Sequence, residues 1–81
     1  MKWVEKSGMH HLGDGHRSQI TVLHHRDHGP KVWCVTCYDL GLGAQPLTST
    51  SLDGAKDEAL RVAAKSLRSS VAYYKKLGIV L

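Results

Sequence analysis

The 81 residues hold eleven Lys and Arg against seven Asp and Glu, a net charge of +4 with the six histidines neutral, and 42% of them are hydrophobic. A chain this short buries only about 60–65% of the surface its unfolded form exposes, so residues 1–81 are expected to make one small domain with little core to spare. No apolar run approaches the roughly 20 residues that cross a bilayer, and residues 1–6 (MKWVEK) lack the apolar stretch of a secretory signal; the expectation is a cytoplasmic protein without membrane contact, its two cysteines reduced.

In chain order, residues 2–6 form a short strand with Trp3 as a core anchor. Residues 7–17 (SGMHHLGDGHR) hold three glycines and three histidines with no apolar period, and read as a long loop. Residues 18–25 (SQITVLHH) alternate as a strand does, residues 26–30 (RDHGP) turn, and residues 31–38 (KVWCVTCY) form a second strong strand, making a hairpin. In the later strand Val32, Cys34, Thr36 and Tyr38 share one face and Trp33, Val35 and Cys37 the other. Residues 39–50 (DLGLGAQPLTST) break the strand and lead to a helix.

Residues 51–78 carry the longest periodic pattern. Leu52, Ala59, Leu60, Ala63, Leu67, Ser70, Val71, Tyr74 and Leu77 recur at steps that keep them on one face of a helix of about seven turns. Ser51 is the expected N-cap, Gly78 suits a left-handed C-cap, and Gly54 costs the helix about 1 kcal/mol relative to Ala. Asp53, Asp57 and Glu58 at one end and Lys75 and Lys76 at the other suit the helix dipole. The apolar Ile79, Val80 and Leu81 follow as a tail that packs on the sheet or meets a protein partner, including a second subunit. The expected fold class is α+β, a three-stranded antiparallel sheet packed by one long C-terminal helix in the order β-β-β-α.

Metal and catalytic chemistry find little footing in this pattern. Cys34 and Cys37 lie within a strand and point to opposite faces, whereas a structural zinc pair needs a tight knuckle and a second pair. His24, His25 and His28 are the nearest approach to a metal-ligand set. A nucleophile with a local base signature is absent, as are the paired carboxylates of hydrolytic sites. The expectation is a non-catalytic protein without metal or cofactor.

The basic residues have more shape. Arg61, Lys65, Arg68, Lys75 and Lys76 share the outer face of the helix, with Asp57 and Glu58 diluting the charge near its start. His24, His25, Arg26, His28 and Lys31 cluster in the hairpin, with Arg17 ahead of it. Together they outline a polyanion footprint, with Arg17, His24, Arg26, Lys31, Arg61, Lys65 and Arg68 as candidate nucleic-acid contacts.

Two family resemblances bear on this reading. Residues 20–67, through residues 33–41 (WCVTCYDLG) and then Ser51 and Leu52 with Ala55, Ala59 and Ala63, resemble the small HicB-type antitoxin domain, whose hairpin leads through an Asp-Leu step to a capped, Ala-rich helix. That resemblance implies a protein-interaction role of the antitoxin or phage-inhibitor kind. The β-β-β-α order is also similar to AP2-type and integrase arm-binding domains. That similarity implies a hairpin laid in a DNA groove, with Arg17, Arg26 and Lys31 as contacts and the helix as scaffold. The function expected from the whole is a nucleic-acid-binding accessory or regulatory module in a bacterial or phage setting, with a protein-interaction module as the alternative.

Overall fold

The computed structural model describes every residue except Met1, Asp14, His16, Val80 and Leu81. Five strands, β1 (Val4–Lys6), β2 (Met9–Leu12), β3 (Ile20–His24), β4 (Trp33–Cys37) and β5 (Leu42–Pro46), form one antiparallel sheet in sequence order, and a single helix, α1 (Leu52–Lys76), packs on one side of it. The α+β class and the C-terminal helix are as expected. The sheet has five strands rather than three, and both additional strands lie in segments expected to be loops.

Each additional strand is held by a device that hydrophobic alternation does not advertise. Ser7 (φ 54°) and Gly8 (φ 79°) both adopt left-handed backbone, the conformation of a two-residue type I′ turn, and this turn folds β2 back on β1. The His10-His11 pair in β2 masks the strand in an apolar count, yet His10 pairs with Val22 and His11 with Thr21 in the ladder. His11 Nδ1 accepts from Gln19 Nε2 at 3.0 Å and lies 2.9 Å from Thr21 Oγ1, so the polar side chains are satisfied across the strands.

β5 contains Gly43, Ala44 and Pro46, and it survives as a strand because it is an edge. There the missing Pro N–H costs no ladder bond. A bulge shifts the register, so that Val35 pairs with Gln45 but Cys37 with Leu42. Ala44 sits in it at φ 49° and donates its N–H to Thr36 Oγ1 at 3.0 Å. The hydroxyl thereby replaces the ladder partner that the extra residue loses.

The core lies between α1 and the side of the sheet that carries Val22, Val35 and Cys37, joined by Leu42 and Leu47 and capped by Ala55, Ala59 and Ala63. Alternation along β4 left open which of its faces meets the helix, and the structure selects the face of Trp33, Val35 and Cys37. Alanines at steps of four let the helix backbone approach the sheet closely. The expected stripe therefore needs correction: Ala59 and Ala63 are buried and Leu52 packs against the core, but Leu60, Leu67, Tyr74 and Leu77 are exposed. Larger side chains cannot occupy the close contact that the alanines make, so the helix turns its small residues inward.

The helix ends behave as their sequences dictate. Ser51 Oγ accepts from Gly54 N at 3.1 Å, the expected N-cap. At the far end Gly78 (φ 87°) donates to Lys75 O and Ile79 donates to Tyr74 O, the paired bonds of a Schellman motif. Glu58 has a role beyond its sign of charge. Its carboxylate accepts from Thr48 N at 2.9 Å, Ser49 N at 2.9 Å and Ser49 Oγ at 2.8 Å, tying the β5–α1 connection to the second turn of the helix.

Candidate functional site

Ser66 Oγ donates to Leu40 O at 2.6 Å, in the 3-10 turn Tyr38–Leu40 that follows β4. Beyond this bond α1 draws away from the sheet, Ser69 still bordering Leu42 and Gln45. Its 25 residues are about 37 Å long at 1.5 Å per residue, and they account for the long dimension of a molecule measuring 42 × 24 × 20 Å. Residues 67–79 form a projecting arm on which Leu67, Tyr73, Tyr74, Leu77 and Ile79 are all exposed.

The charge follows the same division. Before Ala59 there are six Lys and Arg against seven Asp and Glu; from Ala59 onward there are five, Arg61, Lys65, Arg68, Lys75 and Lys76, with no acid. The net positive charge of the chain therefore belongs to the later part of α1. All five side chains are exposed, and none joins an ion pair among the described residues. Glu58, expected to dilute this face, is instead bound to the connection ahead of the helix. The Thr48 N–H, with the further Ser49 and Thr48 bonds, draws its carboxyl from 4.5 down to about 2 against the opposing effect of burial.

The hairpin candidates lie elsewhere and are more engaged. Arg17 Nε donates to Asp39 Oδ1 at 3.5 Å and its guanidinium stands 6.0 Å from the centre of the Tyr38 ring. Arg26 lies 3.9 Å from Asp27. His24 stacks on Trp33 with ring centres 3.6 Å apart, and its Nδ1 donates to Val32 O. Lys31 is exposed in the turn. The tail expected to meet a protein partner is exposed at Ile79, while Val80 and Leu81 lie outside the described residues.

The side of the sheet away from α1 carries a groove of 460 Å³, which required β2 and β5 and so escaped the sequence reading. Met9, Thr21, Leu23, Thr36, Tyr38 and Ala44 line it, with His25 and Asp27 at its lip. Among the described residues that line it none is Lys or Arg, and the Arg17 guanidinium stands beside its Tyr38. His25 Nδ1 accepts from Asp27 N at 3.2 Å, which uses the nitrogen that a partnered base would offer. Of the two thiols, Cys37 donates to Ser18 O from within the core and Cys34 is fully buried. Among the described residues no three His, Cys, Asp or Glu side chains come together as a metal site. Nor is any helix among them long and apolar enough to cross a membrane.

No protein-family model, curated protein or solved structure matches this chain.

Proposed function

We propose that this domain is a non-catalytic nucleic-acid-binding module, accessory or regulatory in role, that holds the phosphate backbone with the outer face of α1. The observation that carries the reading is the charge division: five exposed basic side chains and no acid from Ala59 onward, on a helix that projects from its sheet. Such a surface attracts polyanions without selecting sequence. Arg17 and Arg26 would have to exchange their carboxylate neighbours for phosphates, which costs little because surface ion pairs contribute only about 0–1 kcal/mol. The hairpin, with His24 and Lys31, is thus an auxiliary contact. A groove-binding sheet of the AP2 kind would need Lys or Arg on its open face, where this groove is lined by Thr, Met, Leu and Tyr with His25, Asp27 and His28.

Fluorescence anisotropy of labelled duplex DNA, duplex RNA and single strands tests the reading. Binding should weaken steeply with salt, by about 0.9 in the slope of log K against log salt for each duplex DNA phosphate contacted. Replacing Arg61, Lys65 and Arg68 together by Gln should flatten that slope more than replacing Arg26 and Lys31. Titrations that stay flat for every probe at low salt would reject the reading.

The exposed Leu60, Leu67 and Tyr74 favour a second reading, a protein-interaction module of the antitoxin-like or phage-inhibitor kind. A stoichiometric protein partner that stays bound at high salt would support it.

A further inference from the structure

α1 covers only part of its side of the sheet. Five strands spaced about 4.8 Å apart make a sheet about 19 Å across, while a helix with its side chains is about 10 Å in diameter. α1 packs over β3 and β4, and its Val62, Lys65 and Ser69 border Leu42 and Gln45 on the β5 side. On the other side Lys56 stands 5.5 Å from the centre of the Trp3 ring, just ahead of β1. That contact orients the helix. Leu60, Leu67, Val71 and Tyr74 follow Lys56 at helical spacing, so they line the flank turned toward β1 and β2. Below that flank Leu12 and Ile20, paired in the ladder, are only partly buried. Trp3 packs on the core at the Lys56 end, and beyond it the step has a helical wall, a sheet floor and no second wall among the described residues.

We infer that a second copy of this chain fills the step, the two α1 helices lying antiparallel across a twofold axis near Leu67. Three features select this occupant. The covered part of α1, residues 52–66, is about 22 Å long and the helical part of the arm, residues 67–76, about 15 Å, so the arm is short enough to lie wholly beside a covered half. An antiparallel pair centred on Leu67 therefore lays each arm beside the covered half of its partner, where it supplies the missing wall. The apolar positions match in that register, Tyr74 falling opposite Leu60 and Leu67 opposite its own copy. Finally, the arm carries Arg68, Lys75 and Lys76 without an acid, while the covered half, basic at Arg61 and Lys65 near its middle, presents Asp53 and Asp57 at its exposed start. Lys75 then comes within a turn of the partner's Asp57. A parallel pairing would instead set the basic arms side by side.

Sedimentation of the full, nuclease-treated chain across the micromolar range decides the question without nucleic acid present, and so separately from the binding reading above. The expected mass is twice the 8.9 kDa of the chain. Leu67→Glu should raise the dissociation constant at least tenfold while leaving the circular dichroism spectrum unchanged, because Leu67 lies outside the core of the single copy. Asp57→Lys and Lys75→Asp should each weaken the dimer, and the two together should restore it. A wild-type chain that stays at 8.9 kDa throughout, or a Leu67→Glu chain that dimerises as wild type does, would overturn the proposal. Charge-swapped singles that are not rescued by the double would overturn the antiparallel register.

Discussion

In residues 52–66 of α1 the buried positions are Ala55, Ala59 and Ala63, with Leu52 and Val62 packed beside them; in residues 67–79 the large side chains Leu67, Tyr73, Tyr74 and Leu77 stand in solvent. Both are amphipathic, and the helix runs uninterrupted from one into the other as far as Lys76. The difference shows that periodicity specifies a helix and an apolar stripe, while side-chain size and the reach of the sheet decide which stripe is covered. The covered half is a matter of fit, and the projecting half a matter of surface chemistry.

The largest effect should come from breaking that fit. Ala59→Leu adds bulk where the helix backbone meets Val22 and Val35, and overpacking a tight core costs about 1–3 kcal/mol. Leu67→Ala removes a similar volume from an exposed position of the arm and should change the stability of the single copy by less than about 0.5 kcal/mol. Urea unfolding at low protein concentration, where association does not contribute, measures both. Equal midpoint shifts would erase the distinction between the halves.

A somewhat smaller effect follows from Glu58, which anchors the covered half at its entry. Replacing it by Gln exchanges hydrogen bonds to a charged group, about 1.5–3 kcal/mol, for neutral ones of about 0.5–1.5 kcal/mol, a loss of about 1 kcal/mol. The pH dependence has a definite sign. Because the folded carboxyl is lowered from 4.5 to about 2, its contribution is complete above pH 4.5 and disappears as pH falls through about 2. Wild type should lose stability over that window, and Glu58→Gln should lose less. The anchoring bonds belong only to the covered half, so Lys75→Gln in the arm should leave the acid profile as it is.

The parts of the fold that could be read in advance are those whose signal is local. Ser51 as N-cap and Gly78 in left-handed backbone depend on one or two residues each, as does the alternation that separates Val35 and Cys37 from Thr36 and Tyr38. β2 and β5 were hidden because their stability comes from cross-strand partners. His11 needs Gln19 and Thr21, and Ala44 needs Thr36, pairings that have no period along the chain. The charge division was legible in full, since the absence of any acid after Glu58 is a property of the sequence alone. That these charges sit on an arm projecting past the sheet was not, because it depends on where Leu40 stops the sheet beneath Ser66.

The smallest effect is also the sharpest test of fit against propensity. In a free helix, Gly to Ala gains about 1 kcal/mol, which would make Gly54→Ala an obvious stabilising change. In this structure a Cβ at Gly54 would lie 2.9 Å from Ser51 Oγ and 3.2 Å from Ser49 Cβ and Oγ. Ser51 Oγ is the cap acceptor and Ser49 Oγ is bound to Glu58, so neither can move aside without losing its bond. Disturbing the cap alone costs about 0.5–2 kcal/mol, enough to cancel the propensity gain. Gly54→Ala is therefore expected to leave the urea midpoint unchanged or lower it. Ser69→Ala, at an exposed position beside Leu42 and Gln45, takes a side chain away rather than adding one and breaks no cap bond, and should raise stability by about 0.5 kcal/mol from propensity alone. If both substitutions stabilised equally, the covered half would be no more tightly fitted than the arm, and the alanine contact would not be what seats the helix on the sheet.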